Sequence, residues 1–499
     1  MCRPRALSFL ITFMAMGIGS VELRTLHVRA VINGGTSVLV AALLLVIPAC
    51  AGSTDPRRRD AGLSSTSGSG AEIDAGSAGA AADAGAAGAS SGRAGSGGQS
   101  APDASSGDGS KTTACIAQVA IGDAHSCALK TDGTLWCWGA NGDGQLGIGT
   151  TVTPNPLPVQ VALLGADVVE VDAGMAHTCV RKRDGTVWCW GRNSSGQLGD
   201  GTADGDACRN APCRSSPQQV KALGDKSSKI ASGSLHTCVL TKDGAAFCWG
   251  GNSAGQLGDG TMSPANTSPV QVQTLSSDVV AIAAGGGHSC ALKTDRTVWC
   301  WGRNVAGQIG NGTLDDKPSP AQVLGLSGEV AEVDVGDLRS CARRLDGTLW
   351  CWGSNNGGIL GDGTFDGQAC FSGDPCRPMP IQIAALGVAI AEIALGTSHT
   401  CARKNDASLW CWGRNTYGQL GDGTRDDSSL PVQVRALGSA VIEVATGAAH
   451  SCARKSDSTV WCWDLNRTGQ LGDGTIGDEA CRPDEPCKPS PVQVALSCP

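Results

Sequence analysis

Gly122-Asp123-Ala124-His125-Ser126-Cys127-Ala128-Leu129-Lys130-Thr131-Asp132-Gly133-Thr134-Leu135-Trp136-Cys137-Trp138-Gly139 is the stretch that decides the fold, because versions of it occur seven times. The motif tryptophan recurs at intervals of 51 to 60 residues, and all thirteen tryptophans belong to these copies. Repeats of this length stack into one cooperative body. We therefore predict one repeat domain rather than several independent domains.

Each copy has the pattern of a β-hairpin. In the first copy, residues 125–130 and 134–139 form two strand-like runs, and residues 131–133 have the composition of a tight turn. A three-residue loop places Ala128 opposite Trp136 and Cys127 opposite Cys137. We therefore predict one cross-strand disulfide per hairpin. The pairs are Cys127–Cys137, Cys179–Cys189, Cys238–Cys248, Cys290–Cys300, Cys341–Cys351, Cys401–Cys411 and Cys452–Cys462.

Neither face of the hairpin is polar. Trp136 and Trp138 share one face, and Leu135 and Cys137 share the other, so both faces need cover. Residues 158–161 and 168–171 indicate two further strands. Four short strands per copy, repeated seven times and covered by neighbouring copies, predict an all-β fold, a disulfide-stapled seven-bladed β-propeller over residues 115–498.

The repeat resembles that of the regulator of chromosome condensation (RCC1) family. The resemblance rests on residues 125–129, on Trp136-Cys137-Trp138-Gly139 with Asn141, and on Gly144-Gln145-Leu146-Gly147. It covers residues 115–498 and implies a propeller of about seven blades. With the leader described below, it suggests a secreted or lipoprotein type of bacterial member. It implies function far less, because the fold hosts exchange factors, light sensors, enzyme inhibitors and adhesive modules.

Apart from Cys2 and Cys50 in the amino-terminal segment, the remaining cysteines also pair without remainder. Three close pairs lie in loops, Cys208–Cys213, Cys370–Cys376 and Cys481–Cys487. Cys115 and Cys498 lie at the two ends of the repeat region. When both ends are aligned with the junction between two internal copies, the two cysteines fall two residues apart. We predict a Cys115–Cys498 disulfide that closes the ring. The even count indicates an oxidising compartment.

The amino-terminal segment is interpreted as a lipoprotein signal. Residues 38–49 are an apolar run of signal-peptide length that ends at Cys50, and Ile47-Pro48-Ala49-Cys50 resembles a bacterial lipobox. The resemblance implies a signal peptide over residues 1–49 and lipidation of Cys50, and an over-extended start is one explanation for the length of this segment. A two-segment anchor without cleavage is the alternative. Because Ala51 follows the cysteine, the resemblance favours the outer membrane or cell surface.

Residues 50–114 are predicted to be the lipidated cysteine and a disordered tether. They are rich in Ala, Gly, Ser and Asp and have almost no large apolar side chains to bury. The formal net charge of the chain is -8, and no basic cluster stands out. An acidic surface disfavours nucleic acid as a partner. We expect a monomer that touches the membrane through its lipid anchor only.

No catalytic constellation is visible, so we predict no enzyme activity, no cofactor and no metal. Six copies carry His-x-Cys, as in His177-Thr178-Cys179, which raises the possibility of zinc. The cross-strand cysteine pairs, the oxidising compartment and the lack of a fourth ligand disfavour zinc, and the fifth copy has Arg339 in place of His. We interpret the histidine as a dispensable scaffold residue that hydrogen-bonds neighbouring backbone.

The copies differ most in the three loops with close cysteine pairs, which occupy one repeat position and should emerge on one rim. A stapled loop loses little entropy on binding. We predict a binding module that recognises a protein or cell-surface glycan through one propeller face, although the staples could also serve only against proteolysis. The candidate contact residues are Arg209, Asn210, Phe371, Asp374, Arg482 and Asp484.

Two other functions stay open. Guanine-nucleotide exchange, by analogy with the family, needs a cytoplasmic GTPase and reduced thiols, which the lipobox and the cysteines contradict. A propeller hydrolase or lyase with a site in the central channel is the other alternative, for which no residues can be named.

Overall fold

The computed structural model describes residues 115–497 except 210, 327, 371–372, 478–479 and 483–484. The predicted signal peptide, lipidation site and tether lie outside the described residues, as does Cys498. No helix in the described part is long and apolar enough to cross a membrane.

Seven antiparallel sheets make up the described chain, and each is built from one contiguous repeat. Four blades contain four strands in chain order. Blade 1 has β1 (Ile116–Ile121), β2 (His125–Lys130), β3 (Leu135–Gly139) and β4 (Asn155–Gln160).

The second blade is longer by one strand. It has β5 (Val168–Ala173), β6 (His177–Lys182), β7 (Val187–Arg192), β8 (Asp206–Cys208) and β9 (Ala211–Gln219). Blade 3 has β10 (Ser227–Ser232), β11 (His236–Thr241), β12 (Ala246–Gly251) and β13 (Ala265–Gln271). Blade 4 has β14 (Val279–Ala284), β15 (His288–Lys293), β16 (Val298–Gly302) and β17 (Lys317–Gln322).

Blades 5 and 7 share the extra strand of blade 2. Blade 5 has β18 (Val330–Val335), β19 (Arg339–Arg344), β20 (Leu349–Ser354), β21 (Gln368–Ala369) and β22 (Pro375–Gln382). Blade 6 has β23 (Ile390–Leu395), β24 (His399–Lys404), β25 (Leu409–Gly413) and β26 (Ser428–Gln433). Blade 7 has β27 (Val441–Thr446), β28 (His450–Lys455), β29 (Val460–Leu465), β30 (Ala480–Arg482) and β31 (Glu485–Gln493). Short 3-10 turns follow the fourth-strand position at Ala162–Leu164, Lys221–Leu223, Ala384–Leu386 and Arg435–Leu437.

The predicted seven-bladed β-propeller is confirmed, and so is the hairpin register. Cys127 lies opposite Cys137 and Ala128 opposite Trp136. In all seven hairpins the paired cysteine Cα atoms lie 4.0 to 4.1 Å apart, with their sulfur atoms at bonding distance. Such close Cα atoms are typical of the narrow pairs of an antiparallel ladder. Residues 158–161 fall largely in β4, and residues 168–171 begin the first strand of the next blade.

The two faces of the ring carry different connections. We call the front face the side that holds the loop between the first and second strands of each blade, residues 122–124 in blade 1, together with the loop from the third to the fourth strand. The back face holds the hairpin turns, residues 131–133 in blade 1. The last residue of these turns has a left-handed backbone conformation even where it is not glycine, with φ of 65° at Arg296, 62° at Ala407 and 68° at Ser458. Each such residue costs about 1 kcal/mol of strain.

The second tryptophan of each hairpin joins two blades. Trp190 is fully buried, and its indole N–H donates to the main-chain oxygen of Gln145 in the preceding blade at 2.9 Å. Trp138 of blade 1 makes the same bond to Gln470 of blade 7, which closes the ring. All seven blades repeat this joint. Because the motif recurs at regular intervals, each junction between two blades has one indole N–H donor and one loop carbonyl acceptor.

Seven glycines, one directly after the first strand of each blade, form a ring around the axis. A Cβ atom on any one of them would lie under 3.0 Å from the carbonyl oxygen of the corresponding glycine in the next blade, and Gly447 completes the circle onto Gly122. The members are Gly122, Gly174, Gly233, Gly285, Gly336, Gly396 and Gly447. Only glycine lets the first strands approach this closely.

The first aromatic residue of each hairpin, a tryptophan in six blades and Phe247 in blade 3, is less buried. Trp136 is partly exposed at the back face, and its N–H donates to the Thr134 hydroxyl at 3.2 Å. Five of these rings have a lysine ammonium 4.7 to 6.0 Å from the ring centroid. In five blades, a lysine therefore makes a cation–π contact with this tryptophan on the back face.

Candidate functional site

The repeat histidines belong to the joints between blades. His125 Nε2 lies 2.9 Å from the hydroxyl of Thr178 in the next blade, and that hydroxyl donates to Gln145 O at 2.8 Å. Because the hydroxyl gives its proton to the carbonyl, it accepts from the Nε2–H of the imidazole. Our expectation of a histidine bonded to neighbouring backbone is wrong, since the partner of Nε2 is a side chain of the adjacent blade.

The same contact between Nε2 and a hydroxyl of the next blade recurs at the other histidines, including His450, which reaches Ser126 across the closing junction at 2.8 Å. All six imidazoles are fully buried. Burial lowers the pKa of His125 and His236 to about 4 and that of the other four to about 3. Each histidine is therefore a neutral structural donor at neutral pH.

Arg339 replaces the histidine in blade 5 without opening the joint. Its Nε donates to the Thr400 hydroxyl at 3.0 Å, its Nη1 donates to Thr397 O at 3.2 Å, and its Nη2 donates to His399 O. One arginine thus takes over the histidine role and adds two main-chain contacts.

The front end of the central channel is a small cavity of about 70 Å³ lined by all seven blades. The residues that follow the ring glycines surround it, and here the repeat varies. They are Asp123, Met175, Ser234, Gly286, Asp337, Thr397 and Ala448. We call this region the channel mouth.

Two carboxylates face the channel mouth from blades 1 and 5. Burial and the charge of Asp337 raise the pKa of Asp123 to about 6, against the opposing charge of Arg192. Burial also raises the pKa of Asp337, while Arg339 and Arg303 oppose the shift. Neither carboxylate accepts a hydrogen bond from the described part of the chain. The channel mouth therefore holds two carboxyl groups that lack protein donors within the described chain.

Basic side chains surround the channel mouth at the ends of three alternate third strands. Arg192 Nη2 lies 2.9 Å from Asp143 Oδ2 of the preceding blade. Arg414 Nη2 donates to Asn356 Oδ1 at 2.7 Å, and Arg303 is exposed. The front face thus has acidic groups at its centre and basic groups around them.

The three stapled loops lie on the rim of the front face, as their common repeat position predicts. Each forms a hairpin in which β8, β21 or β30 pairs with the extended strand that follows it. The cysteines of each loop are bonded to one another. We call these the rim hairpins. They occupy blades 2, 5 and 7, separated by three, two and two blades.

The predicted contact residues are only partly described. Arg209 is exposed, and its Cδ would lie 3.2 Å from a Cβ on Gly142 of blade 1. Asp374 accepts a hydrogen bond from Asn356 Nδ2 at 3.1 Å. Asn210, Phe371, Asp484 and the side chain of Arg482 lie outside the described residues. Arg209 and Asp374 stay candidates, in different blades rather than in one cluster.

The predicted Cys115–Cys498 link falls on a residue outside the described part, although its surroundings are visible. Cys115 N–H donates to the Ser458 hydroxyl of blade 7 at 3.0 Å, and its carbonyl accepts from Thr131 N at 3.0 Å. Lys130 Nζ, one residue before Thr131, donates to Ser497 O at 2.9 Å. Residues 115 and 497, at the two ends of the described range, therefore lie beside the same hairpin turn.

Sequence reasoning missed the channel mouth. Asp123 and Asp337 occupy the same position in their copies, and each of the five other copies has a different residue there. An alignment of the seven copies would have shown that two of them carry a carboxylate at this variable position.

Asp464 of blade 7 occupies a position that is glycine in the six other copies. It is fully buried with φ of 94°, Oδ1 accepts only the adjacent Leu465 N–H, and Oδ2 has no partner in the described structure. Burial holds its pKa well above the ordinary value. We expect Asp464→Gly to increase the free energy of unfolding by about 2 kcal/mol at neutral pH, through relief of strain and removal of the buried carboxyl.

The gain should shrink toward acid pH. A raised folded-state pKa means that the carboxyl is tolerated in the fold below the unfolded-state pKa and opposes folding as pH rises. Urea unfolding at several pH values measures this, and Gly413→Asp, the reciprocal change in blade 6, should lose a similar amount. A variant less stable than the parent at neutral pH would contradict the prediction.

Known proteins resemble the chain along most of the propeller. The RCC1-like domain matches residues 80–372, and the regulator of chromosome condensation (RCC1) repeat matches residues 346–403, 406–454 and 390–419. The ultraviolet-B receptor UVR8 of Arabidopsis thaliana is 31% identical over 367 residues, which cover 72% of this chain and 79% of the receptor.

Other relatives are far longer or more distant. The human E3 ubiquitin-protein ligase HERC2 is 31% identical over 360 residues, 71% of this chain, but this chain spans only 7% of the ligase. The crystal structure of Prp20p from Saccharomyces cerevisiae has a TM-score of 0.58 at 22% identity, covering 68% of this chain and 82% of Prp20p. The fold, the repeats and the extent of these matches show that this chain belongs to the RCC1-like family of β-propellers.

Proposed function

We propose that this protein is an extracytoplasmic binding module that recognises a protein through the front face of its propeller. The observation that carries the proposal is the placement of the rim hairpins in blades 2, 5 and 7. Three rim hairpins cannot be distributed more evenly over seven blades. They surround the channel mouth and can contact one partner from three sides.

The contacts of the rim hairpins favour a preformed surface. Each is held by a disulfide and by pairing within its own blade. The rim hairpin of blade 7 is also bonded to blade 6, since Arg425 Nη1 donates to Cys481 O at 3.0 Å. A surface that is ordered before binding loses less conformational entropy when a partner arrives. If the disulfide served only to protect the loop from proteolysis, the contact with blade 6 would not be required.

The proposed location follows from the amino-terminal sequence. Cys50 in its lipobox-like context would carry the lipid, and residues 51–114 would hold the propeller away from the membrane. Ten disulfides in the described chain suit an oxidising compartment. Among the relatives, the ligase HERC2 contains much more chain than the propeller.

Replacement of the three rim hairpins tests the proposal. In the full-length protein, residues 206–213, 368–376 and 480–487 are exchanged for short loops copied from the equivalent position of blade 4, and partners are captured from cell-envelope extract and identified by cross-linking. We expect the triple variant to lose a partner that the parent protein captures. Loss of one rim hairpin should weaken capture by about tenfold or more, as removal of an interface anchor does.

A back-face variant is the matched control. Leu163 is 71% exposed on the back face, and Leu163→Ser should leave capture unchanged. Capture of the same partner with equal affinity by the triple variant would refute the front-face assignment. A glycan array probed with both proteins distinguishes a glycan partner from a protein partner.

A further inference from the structure

We propose that the rim disulfides of blades 5 and 7, Cys370–Cys376 and Cys481–Cys487, form a redox switch that a dithiol reductant opens while the propeller stays folded. This inference goes beyond the proposed function and does not depend on it, because the oxidation state of the cysteines is measured on the protein alone. It rests on how these two bonds differ from the seven hairpin disulfides in burial and in strand pairing.

The hairpin disulfides are closed to solvent. All fourteen of their cysteines are 0% exposed. In blade 5, Cys341 and Cys351 form the third of five residue pairs between β19 and β20, and they lie in the same buried apolar cluster as Trp412 of blade 6. A thiolate must reach a sulfur atom in order to attack it. Blade 5 must therefore separate from blade 6, or unfold, before this bond can be reduced.

The rim disulfides of blades 5 and 7 lie at the edges of their sheets. β21 and β30 are the outermost strands, and within the described residues each forms two residue pairs with the strand beside it. Cys370 and Cys481 are half-buried, whereas their partners Cys376 and Cys487 are 0% and 2% exposed. Short ladders at an edge open locally at a small cost in free energy. One cysteine of each bond is therefore within reach of a thiolate without unfolding of the blade.

The rim disulfide of blade 2 provides an internal comparison. It occupies the same repeat position, but Cys208 is only 5% exposed and Cys213 is 0% exposed. Within the described residues, β8 forms three residue pairs with β9, one more than the equivalent strands of blades 5 and 7. We therefore expect this bond to open more slowly than the other two rim disulfides.

The reaction is a thiol–disulfide exchange in which the dithiol is the reductant. One thiolate of the dithiol attacks the Cys370 sulfur, a mixed disulfide forms, and the bond to Cys376 breaks. The second thiolate then attacks the dithiol's own sulfur in the mixed disulfide and releases Cys370. Two electrons pass to the protein, both cysteines take up a proton and become thiols, and the dithiol is oxidised to a cyclic disulfide. Cys481 and Cys487 react in the same way.

Opening these bonds changes the rim of the front face. Once the disulfide is open, β21 depends on its short pairing with β22, and so does the hydrogen bond that Asp374 accepts from Asn356. In blade 7, the bond from Arg425 Nη1 to Cys481 O depends on β30 in the same way. A two-stranded pair without further support is marginally stable in water. The reduced protein therefore keeps its seven blades but loses two ordered rim hairpins.

Timed reduction of the oxidised full-length protein tests the switch. The probe is dithiothreitol at neutral pH, followed by alkylation with iodoacetamide and quantification of each cysteine pair by mass spectrometry. We expect Cys370–Cys376 and Cys481–Cys487 to be reduced about 100-fold or more faster than Cys341–Cys351 and Cys452–Cys462, the hairpin disulfides of the same blades, because local opening is sufficient for the first two. Cys208–Cys213 should open at an intermediate rate. In guanidinium chloride, all five bonds should open at similar rates.

Serine variants separate an open rim disulfide from a damaged blade. The double variant Cys370→Ser with Cys376→Ser mimics the reduced rim of blade 5. We expect faster hydrogen exchange in β21 and in the part of β22 that pairs with it, and unchanged exchange in β19 and β20. The matched control, Cys341→Ser with Cys351→Ser, removes the hairpin disulfide of the same blade and should lower the thermal stability of the whole propeller.

Three results would each overturn the proposal. They are equal reduction rates for the rim and hairpin disulfides of the native protein, loss of the native tryptophan fluorescence when only the rim disulfides are open, and failure of the rim disulfides to form again when an oxidised dithiol is added. If the switch opens as expected but partner capture is unchanged, the front-face assignment fails and the redox inference stands.

Discussion

Gly285→Ala is expected to lower the free energy of unfolding by about 4 kcal/mol or more, a loss that places it among the most damaging single substitutions. The added Cβ would lie under 3.0 Å from the carbonyl oxygen of Gly336 in the next blade. Relief would require the first strands of two blades to separate, and every joint of the closed ring resists that movement. Denaturant unfolding with intact disulfides, followed by tryptophan fluorescence, measures the change.

The same loop supplies a matched control. A Cβ on Gly287, two residues away, would meet only Arg303 Cβ and Cδ at 3.4 Å, which is ordinary contact. We expect Gly287→Ala to change stability by less than about 0.5 kcal/mol. Comparable losses in the two variants would show that the glycine ring is not a steric constraint.

The second large effect is a change in acid sensitivity on replacing one joint histidine. His236 Nε2 lies 2.9 Å from the Ser289 hydroxyl, and burial lowers its pKa from 6.5 to about 4. A depressed folded-state pKa means that the unfolded chain binds the proton first, so the histidine destabilises the fold as pH falls below 6.5. Each pH unit costs about 1.4 kcal/mol, or about 2.5 kcal/mol by roughly pH 4.5.

His236→Gln keeps an N–H donor but cannot titrate. We expect the variant to be less stable than the parent at neutral pH and to gain about 2.5 kcal/mol relative to it on acidification to roughly pH 4.5. Urea unfolding across this range gives both curves. Parallel curves for the two proteins would contradict a buried neutral histidine.

The difference between the two proteins is the informative quantity. Asp123, Asp334 and Asp464 have raised pKa values and act in the opposite direction, since they favour the fold at low pH. Their contribution is shared by parent and variant and cancels. Arg339→His, which adds a seventh histidine to the joints, should steepen the acid loss and provides the reciprocal test.

The features that sequence reasoning predicted are those that lie within one copy. The pairing of Cys127 with Cys137 depends on a separation of ten residues and a turn, so spacing alone determines it. The blade number follows from counting copies, and the common side of the rim hairpins follows from their shared position. Local register and repetition carry all of this information.

The contacts between copies could not be read in the same way. The bond from Trp190 to Gln145 O and the relay from His125 to Thr178 join residues 45 and 53 positions apart. Both depend on how one blade packs against the next, and no sequence pattern within a single copy specifies that packing. Asp123 and Asp337 come together only because the ring closes, so the channel mouth has no signature along the chain.

Each blade is a single contiguous segment, and this has a consequence for the order in which the ring is completed. Six joints link blades that follow one another along the chain. The seventh links the first blade to the last, because the indole of Trp138 and the Ser126 hydroxyl both donate to Gln470. Blade 1 therefore gains its full set of contacts only after blade 7 has folded. A chain truncated before the final blade would have two unmatched apolar flanks, and such a product is a natural target for quality-control proteases.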